Sequence, residues 1–293
     1  MRNNYISSFL VFAAICTTLA SCNCEDDLKD ETAFAASVTA ATTLQERNAL
    51  VEHFTGVNDE HSPEGHRILN GLLVTHPERL YCINVHTGIF SDNTYITDFG
   101  TELAAQSSLT AFPAGTVNRH VFEPYTMDTV NKGTAMPVHY LPNACDIIMG
   151  QTSTANIDAR AEINTSSREL KVAVAIYYTE QDTVNATHKI NVALIEDSVW
   201  GKQIGGSISN PTQYDFVNGK YCHMHMLRHL VTGQWGDDIT PTAGKQIRRV
   251  YAYTIPLQIC GSDVDLNHLR VLVFLSEGKQ EVINVCQARL ALV

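Results

Sequence analysis

The stretch Leu50-Val-Glu-His-Phe-Thr-Gly-Val-Asn-Asp-Glu-His-Ser-Pro-Glu-Gly-His66 constrains the front of this chain more than any other. Leu50 to Phe54 is short and apolar-rich and is closed by Thr55-Gly56, which reads as a strand running into a tight loop. Ser62 is placed to cap a helix, and Pro63 falls at its first position, where a missing N–H costs nothing. Ile68, Leu69, Leu72 and Leu73 then draw one apolar stripe along that helix, so that it packs on a sheet.

Strand, loop and Pro-started helix together resemble the first βα turn of a thioredoxin-like domain, whose loop carries Cys-x-x-Cys just before the proline. Here Asp59 and Ser62 stand at the two thiol positions. Thiol exchange needs one thiolate to attack and a second thiol to resolve, so a carboxylate and a hydroxyl leave the frame redox-silent. Leu80 to His86 follows as a second strand, and Ile96, Phe99 and Leu103 carry helical spacing. In Leu109-Thr-Ala-Phe-Pro-Ala-Gly-Thr-Val-Asn-Arg119, Pro113 enters a strand where thioredoxins keep a cis peptide, leaving backbone groups free for an extended peptide. Pro137 to Met149 reads as the closing helix.

The two motifs, Glu52-His-Phe-Thr-Gly56 with its Pro-started helix and Phe112-Pro-Ala-Gly-Thr-Val-Asn-Arg119, resemble the 28-kilodalton outer-membrane protein family of Bacteroidota. Those are lipoproteins with a thioredoxin-like front domain, usually reading Glu-Glu-Phe-Thr-Gly, two residues, then Cys-x-x-Cys-Pro. This chain departs at His53, Asp59 and Ser62, which removes the redox chemistry but not the fold or the location that the resemblance implies. The resemblance continues through Tyr221-Cys-His-Met-His-Met-Leu-Arg228 and Gly233-Gln-Trp-Gly236.

The N-terminus supports that location. Arg2, the apolar run Phe9 to Ile15 and the tetrad Leu19-Ala-Ser-Cys22 resemble a lipoprotein signal cut before a lipidated Cys22. Elsewhere no run of about 18 apolar residues occurs. The acidic stretch Glu25-Asp-Asp-Leu-Lys-Asp-Glu31 resembles a Bacteroidota surface-export signal, and residues 32–44, rich in Ala, Thr and Ser, read as a flexible spacer. The net charge of −11, with no run of Lys or Arg, argues against nucleic acid. Cys24, Cys82, Cys145, Cys222, Cys260 and Cys286 form no Cys-x-x-Cys pair, and their disulfide pairing stays open, although Cys82 lies within an apolar strand and reads as a buried, inert thiol.

From Gln151 the pattern changes to period two. Ala155 to Ile163, Leu170 to Tyr178, Ile190 to Leu194, Val250 to Ile255, Leu269 to Leu275 and Val282 to Leu290 read as strands separated by polar turns, an antiparallel Ig-like β-sandwich. Trp200 to Lys220, rich in Gly, Ser and Asn, reads as a surface loop. The resulting division is a signal over 1–21, an acidic tether over 22–44, a thioredoxin-like domain over 45–150 and a β-sandwich over 151–293.

His223, His225 and His229 invite a metal, since His223 and His225 would share a strand face. No acid or cysteine lies at ligand spacing, so no metal and no cofactor is assigned. A cation at Asp59-Glu60-His61, with His66 one turn on, is opposed by the helix N-terminus. Trp235, between two glycines, either anchors a peptide or sugar or plugs the sandwich core. Asp128-Thr-Val, Asp182-Thr-Val and Asp197-Ser-Val resemble a short O-glycosylation signal, and Asn164-Thr-Ser and Asn185-Ala-Thr match the N-glycosylation pattern that a bacterial lipoprotein has no reason to use. The sequence is thus expected to encode a non-catalytic outer-membrane surface lipoprotein that binds, adheres or serves envelope structure, held through Cys22, with an extracellular protein, peptide or glycan as partner. The alternatives are a thiol oxidoreductase working through Cys82 and a carbohydrate-binding accessory protein resting on Trp235.

Overall fold

Side chains alternate across a strand, so Leu50, Glu52 and Phe54 face one way from β1 (Ala49–Thr55) while Ala49, Val51, His53 and Thr55 face the other; both faces are buried. The computed structural model describes residues 31–179 and 187–293, and the proposed lipid site Cys22, together with Cys24, Asp182 and Asn185, lies outside them. After β1 come α1 (Ser62–Thr75), β2 (Leu80–His86), α2 (Asp98–Gln106), β3 (Ala114–Val117), β4 (Met136–Pro137) and α3 (Leu141–Met149). β2 runs parallel to β1, β3 antiparallel to it, and β4 closes that edge. α1 and α3 cover one face through Leu69, Leu141, Ala144 and Ile148, which pack on Val51, Leu80 and Cys82. The closing helix is shorter than the sequence suggests: Val138–Tyr140 form a 3-10 turn, and α3 begins at Leu141.

The second half supplies β5 (Ala155–Ile163), β6 (Glu169–Tyr178), β7 (His188–Glu196), β8 (Val199–Gly201), α4 (Gly206–Ser209), β9 (Tyr214–Asp215), β10 (Lys220–His223), β11 (Met226–Leu230), β12 (Asp237–Ile239), β13 (Gln246–Thr254), β14 (Leu269–Glu277), β15 (Val282–Gln287) and β16 (Arg289–Leu292). The fold is mixed α/β with strands predominating. β13, β6, β5 and β16 make a four-stranded sheet, packed through Val172, Val174 and Ile176 on Val192, Leu194, Val271 and Val273.

The other layer is one nine-stranded sheet in the order β15-β14-β7-β11-β2-β1-β3-β4, with β12 beside β7. Strands from both sides of residue 150 therefore belong to one sheet. The seam is narrow: Met226 registers with Asn84, whose N–H donates to the His225 carbonyl at 2.7 Å and whose side-chain amide donates to the Met224 carbonyl at 2.7 Å. Across it runs a common core of Leu50, Phe54, Ile83, Leu103, Ala193, Ile195, Leu227 and Phe274.

The segment expected as a flexible spacer is seated on the body. Residues 31–36 are helical, and Val38 and Ala40 are buried against Ala173 and Ala175 on the outer face of the four-stranded sheet. The Asn156 amide donates to the carbonyls of Ala41 and Thr43, both at 2.7 Å. Small side chains on both sides allow this close approach, which composition alone disguised as a linker. Cys82, Cys145, Cys222, Cys260 and Cys286 are all free thiols.

Candidate functional site

Thr55 ends β1, and the chain turns through 56–61 into α1. Ser62 is the first residue of the helix and His61 occupies the cap position without a side-chain bond, so the expected Ser62 cap is displaced by one residue. The Ser62 hydroxyl instead donates to Asp59 Oδ2 at 2.7 Å and accepts the Gly56 N–H at 3.2 Å. Both side chains are buried. Beside them the Phe112–Pro113 peptide is cis, and the Phe54–Ala114 register sets it at the end of β1. Phe112 meets the Phe90 ring at 5.6 Å, and the Phe90 carbonyl accepts the Asn58 N–H at 2.8 Å. A side chain at Gly56 would meet that carbonyl at 2.6 Å, so only glycine fits. An open trough of about 440 Å³ lined by Gly88, Ile89, Ala104, Leu109 and Phe112 runs along this side.

The loop's other side is covered by the segment expected as a surface loop. β8, β10 and β9 form a three-stranded sheet of their own, and the chain between its strands lies over residues 56–60. The Gln203 amide donates to the carbonyls of Gly56 (3.2 Å) and Asp59 (3.0 Å), the Ile204 N–H donates to the Val57 carbonyl (2.9 Å), and Lys202 Nζ donates to Asn58 Oδ1 (2.8 Å). The cover leaves little mark in the sequence, because strands of two to four residues have no period to detect and polar contacts leave no apolar pattern.

Beneath the cover lies a group of buried imidazoles. His53 and Thr55 share a face of β1, and Asn84 and His86 share the same face of β2. His66, one turn into α1, comes down on them, and Tyr221 and His223 of β10 close the top. Ring centroids stand 5.1 Å apart for His53–His66 and for His86–His223, and 6.4 Å apart for His66–His223. Tyr221 donates to Gln213 Oε1 at 2.9 Å and so accepts from His66 Nδ1 at 2.9 Å, which leaves His66 Nε2 to accept the Thr55 hydroxyl at 3.0 Å. His53 Nδ1 donates to Asn84 Oδ1 at 2.8 Å, and His223 Nε2 to the Lys202 carbonyl at 3.1 Å. His53 Nε2, both nitrogens of His86 and His223 Nδ1 have no hydrogen-bond partner among the described residues. Burial lowers His53 and His223 to about 4. His66 and His86 lie well below the usual histidine range, first from burial and then from neighbouring imidazoles. All four are neutral at pH 7.

The expected pairing of His223 with His225 does not occur. β10 ends at His223, His225 adopts a left-handed φ of 53°, and its ring turns away to Asp197 at 3.0 Å. Among the described residues, no three His, Cys, Asp or Glu side chains are grouped so as to hold a metal ion. Trp235 is half-buried on the shared core, with Lys279 Nζ 4.8 Å from its ring centroid and Arg119 Cζ at 5.8 Å. Burial raises the Cys82 thiol far above its ordinary value. The histidine group was readable as two polar pairs at period two, His53/Thr55 and Asn84/His86, inside strands that are otherwise apolar.

The family model described as Outer membrane protein Omp28 matches residues 101–292. No curated protein sequence matches the chain significantly. Among solved structures, HBP35 of Porphyromonas gingivalis is similar in fold, with a TM-score of 0.64 at 14% identity over 84% of this chain and 76% of that one. A protein of Agrobacterium tumefaciens has a TM-score of 0.51 at 12% identity, over 84% of this chain and 96% of its own. A domain of the outer membrane lipoprotein Omp28 from Porphyromonas gingivalis matches at 21% identity, with a TM-score of 0.32, over 48% of this chain and 90% of that one.

Proposed function

This chain belongs to the outer membrane protein Omp28 family, and from that premise we propose that it is a lipid-anchored, surface-exposed protein of the outer membrane whose thioredoxin-like front half is a redox-silent scaffold, joined to an Ig-like sandwich, for binding or envelope structure. The observation carrying the non-catalytic reading is the buried hydrogen bond from Ser62 to Asp59, made where a dithiol would have to open and close. Neither group can attack a disulfide sulfur to form a mixed disulfide, and the pair cannot be oxidised to one. The described thiols give this reading further support: burial raises Cys145 and Cys286 to about 12 and Cys82 further, and it also raises the half-buried Cys222 and the exposed Cys260, so none of the five is activated towards thiolate. The trough beside Phe112–Pro113 gives an extended, apolar peptide a place to lie, which favours a protein or peptide partner over a glycan.

Two measurements test this. In an insulin-reduction assay the purified protein is expected to run at the uncatalysed rate, and turnover above it overturns the scaffold. On intact cells, protease shaving is expected to remove the body, and Cys22→Ala is expected to move the protein out of the membrane fraction; a protected body or an unmoved variant overturns the surface-lipoprotein part.

A further inference from the structure

The imidazole group lies between the body of the protein and residues 199–223. Residues 199–223 hold their own small sheet, which shares no strand pairing with either large one. The piece is flanked by two residues in the left-handed region, Ser198 (φ 59°) and His225 (φ 53°). Loop and side-chain hydrogen bonds tie it to 56–60, and Tyr221 and His223 pack on His66 and His86. We propose that residues 199–223 are a proton-released lid over the loop 56–62, latched by His53, His66, His86 and His223.

The latch works because a proton taken up by its rings makes a buried N–H that finds no acceptor. Each of His53, His86 and His223 keeps a buried nitrogen without an acceptor, so protonation there leaves an uncompensated charge between neighbouring rings. Lifting the lid puts His223 in water and opens one side of His66 and His86, and it breaks no pairing of a large sheet.

The groups facing the latch do little to absorb a proton. Asp59, on the loop, favours one on His53, the smallest of the influences on that ring. Tyr95 lies against His86 and His223 with its ring tilted to both, and is half-buried. Arg228 of β11 opposes a proton on His86 and is itself paired with Glu196 at 2.9 Å. His225 opposes one on His66 and faces Asp197 at 3.0 Å. Tyr221 accepts from His66 and Asn210 and offers its one proton to Gln213. Opening bares the carbonyls of Gly56, Val57 and Asp59, which the lid occupies when shut.

The two tryptophans report on the two parts: Trp200 lies on the lid in β8, and Trp235 on the body. In full-length chains carrying Trp235→Phe or Trp200→Phe, fluorescence and acrylamide quenching are followed from pH 7.5 to 3.5. The Trp200 signal is expected to change at least about one pH unit above the Trp235 signal. His223→Gln is expected to move the Trp200 midpoint downward, whereas His61→Gln, exposed and outside the latch, leaves it in place. His86→Asn serves as the second latch variant should His223→Gln fail to fold. Coincident transitions of the two tryptophans, or a Trp200 midpoint unmoved by a folded latch variant, overturn the proposal; should neither variant fold, the separation of the two tryptophan transitions decides it.

Discussion

Glu52 and Arg119 come from the two motifs on which the family resemblance was read, and in the folded chain they meet. The guanidinium bonds the carboxylate twice, Nε to Oε2 at 2.8 Å and Nη2 to Oε1 at 2.6 Å, with both side chains buried. Arg119 also stacks over Phe274, its Cζ 5.3 Å from the ring centroid, and Asn118 ties Leu50 to Val282. These motif residues therefore bind the front strands to the back ones. Their identity was legible in the sequence, but their partnership was not, because nothing local says that positions 52 and 119 touch. Glu52→Gln strands a buried cation and is expected to lower the unfolding free energy by about 3 kcal/mol in urea titrations. The histidines give a second residue-scale expectation. A folded-state value of about 4 for His53 and His223, below the ordinary 6.5, means stability fully present above pH 6.5 and lost as pH falls to about 4. Each withdraws about 3 kcal/mol over that window, so urea midpoints should fall steeply from pH 6.5 to 4, and His53→Gln should flatten the curve.

At the scale of elements, β1, α1 and β2 were readable because period and punctuation agree there: an apolar strand, a glycine, a proline, an apolar stripe. The lid was not readable, since its strands are too short to show alternation and its glycines and asparagines look like any loop. Its seating includes one very close backbone approach. Gly205 has φ +76°, and a Cβ there would lie 2.3 Å from the Glu60 carbonyl oxygen. Gly205→Ala is therefore expected to unseat the lid while sparing the sheets. Limited proteolysis within 200–220 should speed up about tenfold at pH 7, with the far-UV spectrum and the Trp235 signal unchanged.

For the whole molecule, the decisive fact is the single sheet running from β15 to β4. The longer back-half strands lie near the segments read for them, but β11 and β12 were not read and 282–290 divides into β15 and β16, which belong to different sheets; strand destination was not legible, because long-range pairing leaves no local mark. There was one signal. Ile190-Asn-Val-Ala-Leu-Ile195 and Val271-Leu-Val-Phe-Leu275 are nearly continuous apolar runs, the pattern of strands covered on both faces. Taking only the alternate residues hid Ala193, Ile195, Leu272 and Phe274, which face the front half's core. Calorimetry of the full chain is expected to give one cooperative transition, and an isolated 45–150 fragment, missing β11 and half of that core, is expected to show no cooperative melt.

The seating of residues 34–43 on the four-stranded sheet also sets how far the body can stray. A leash free as far as residue 45 would let it roam about 80 Å from an acylated Cys22, but chain already docked by Phe34 and Val38 leaves about 30 Å between Cys22 and residue 31 at full stretch. On the proposed anchor at Cys22, a body moored that tightly would stay within a few nanometres of the bilayer and meet only what comes that near.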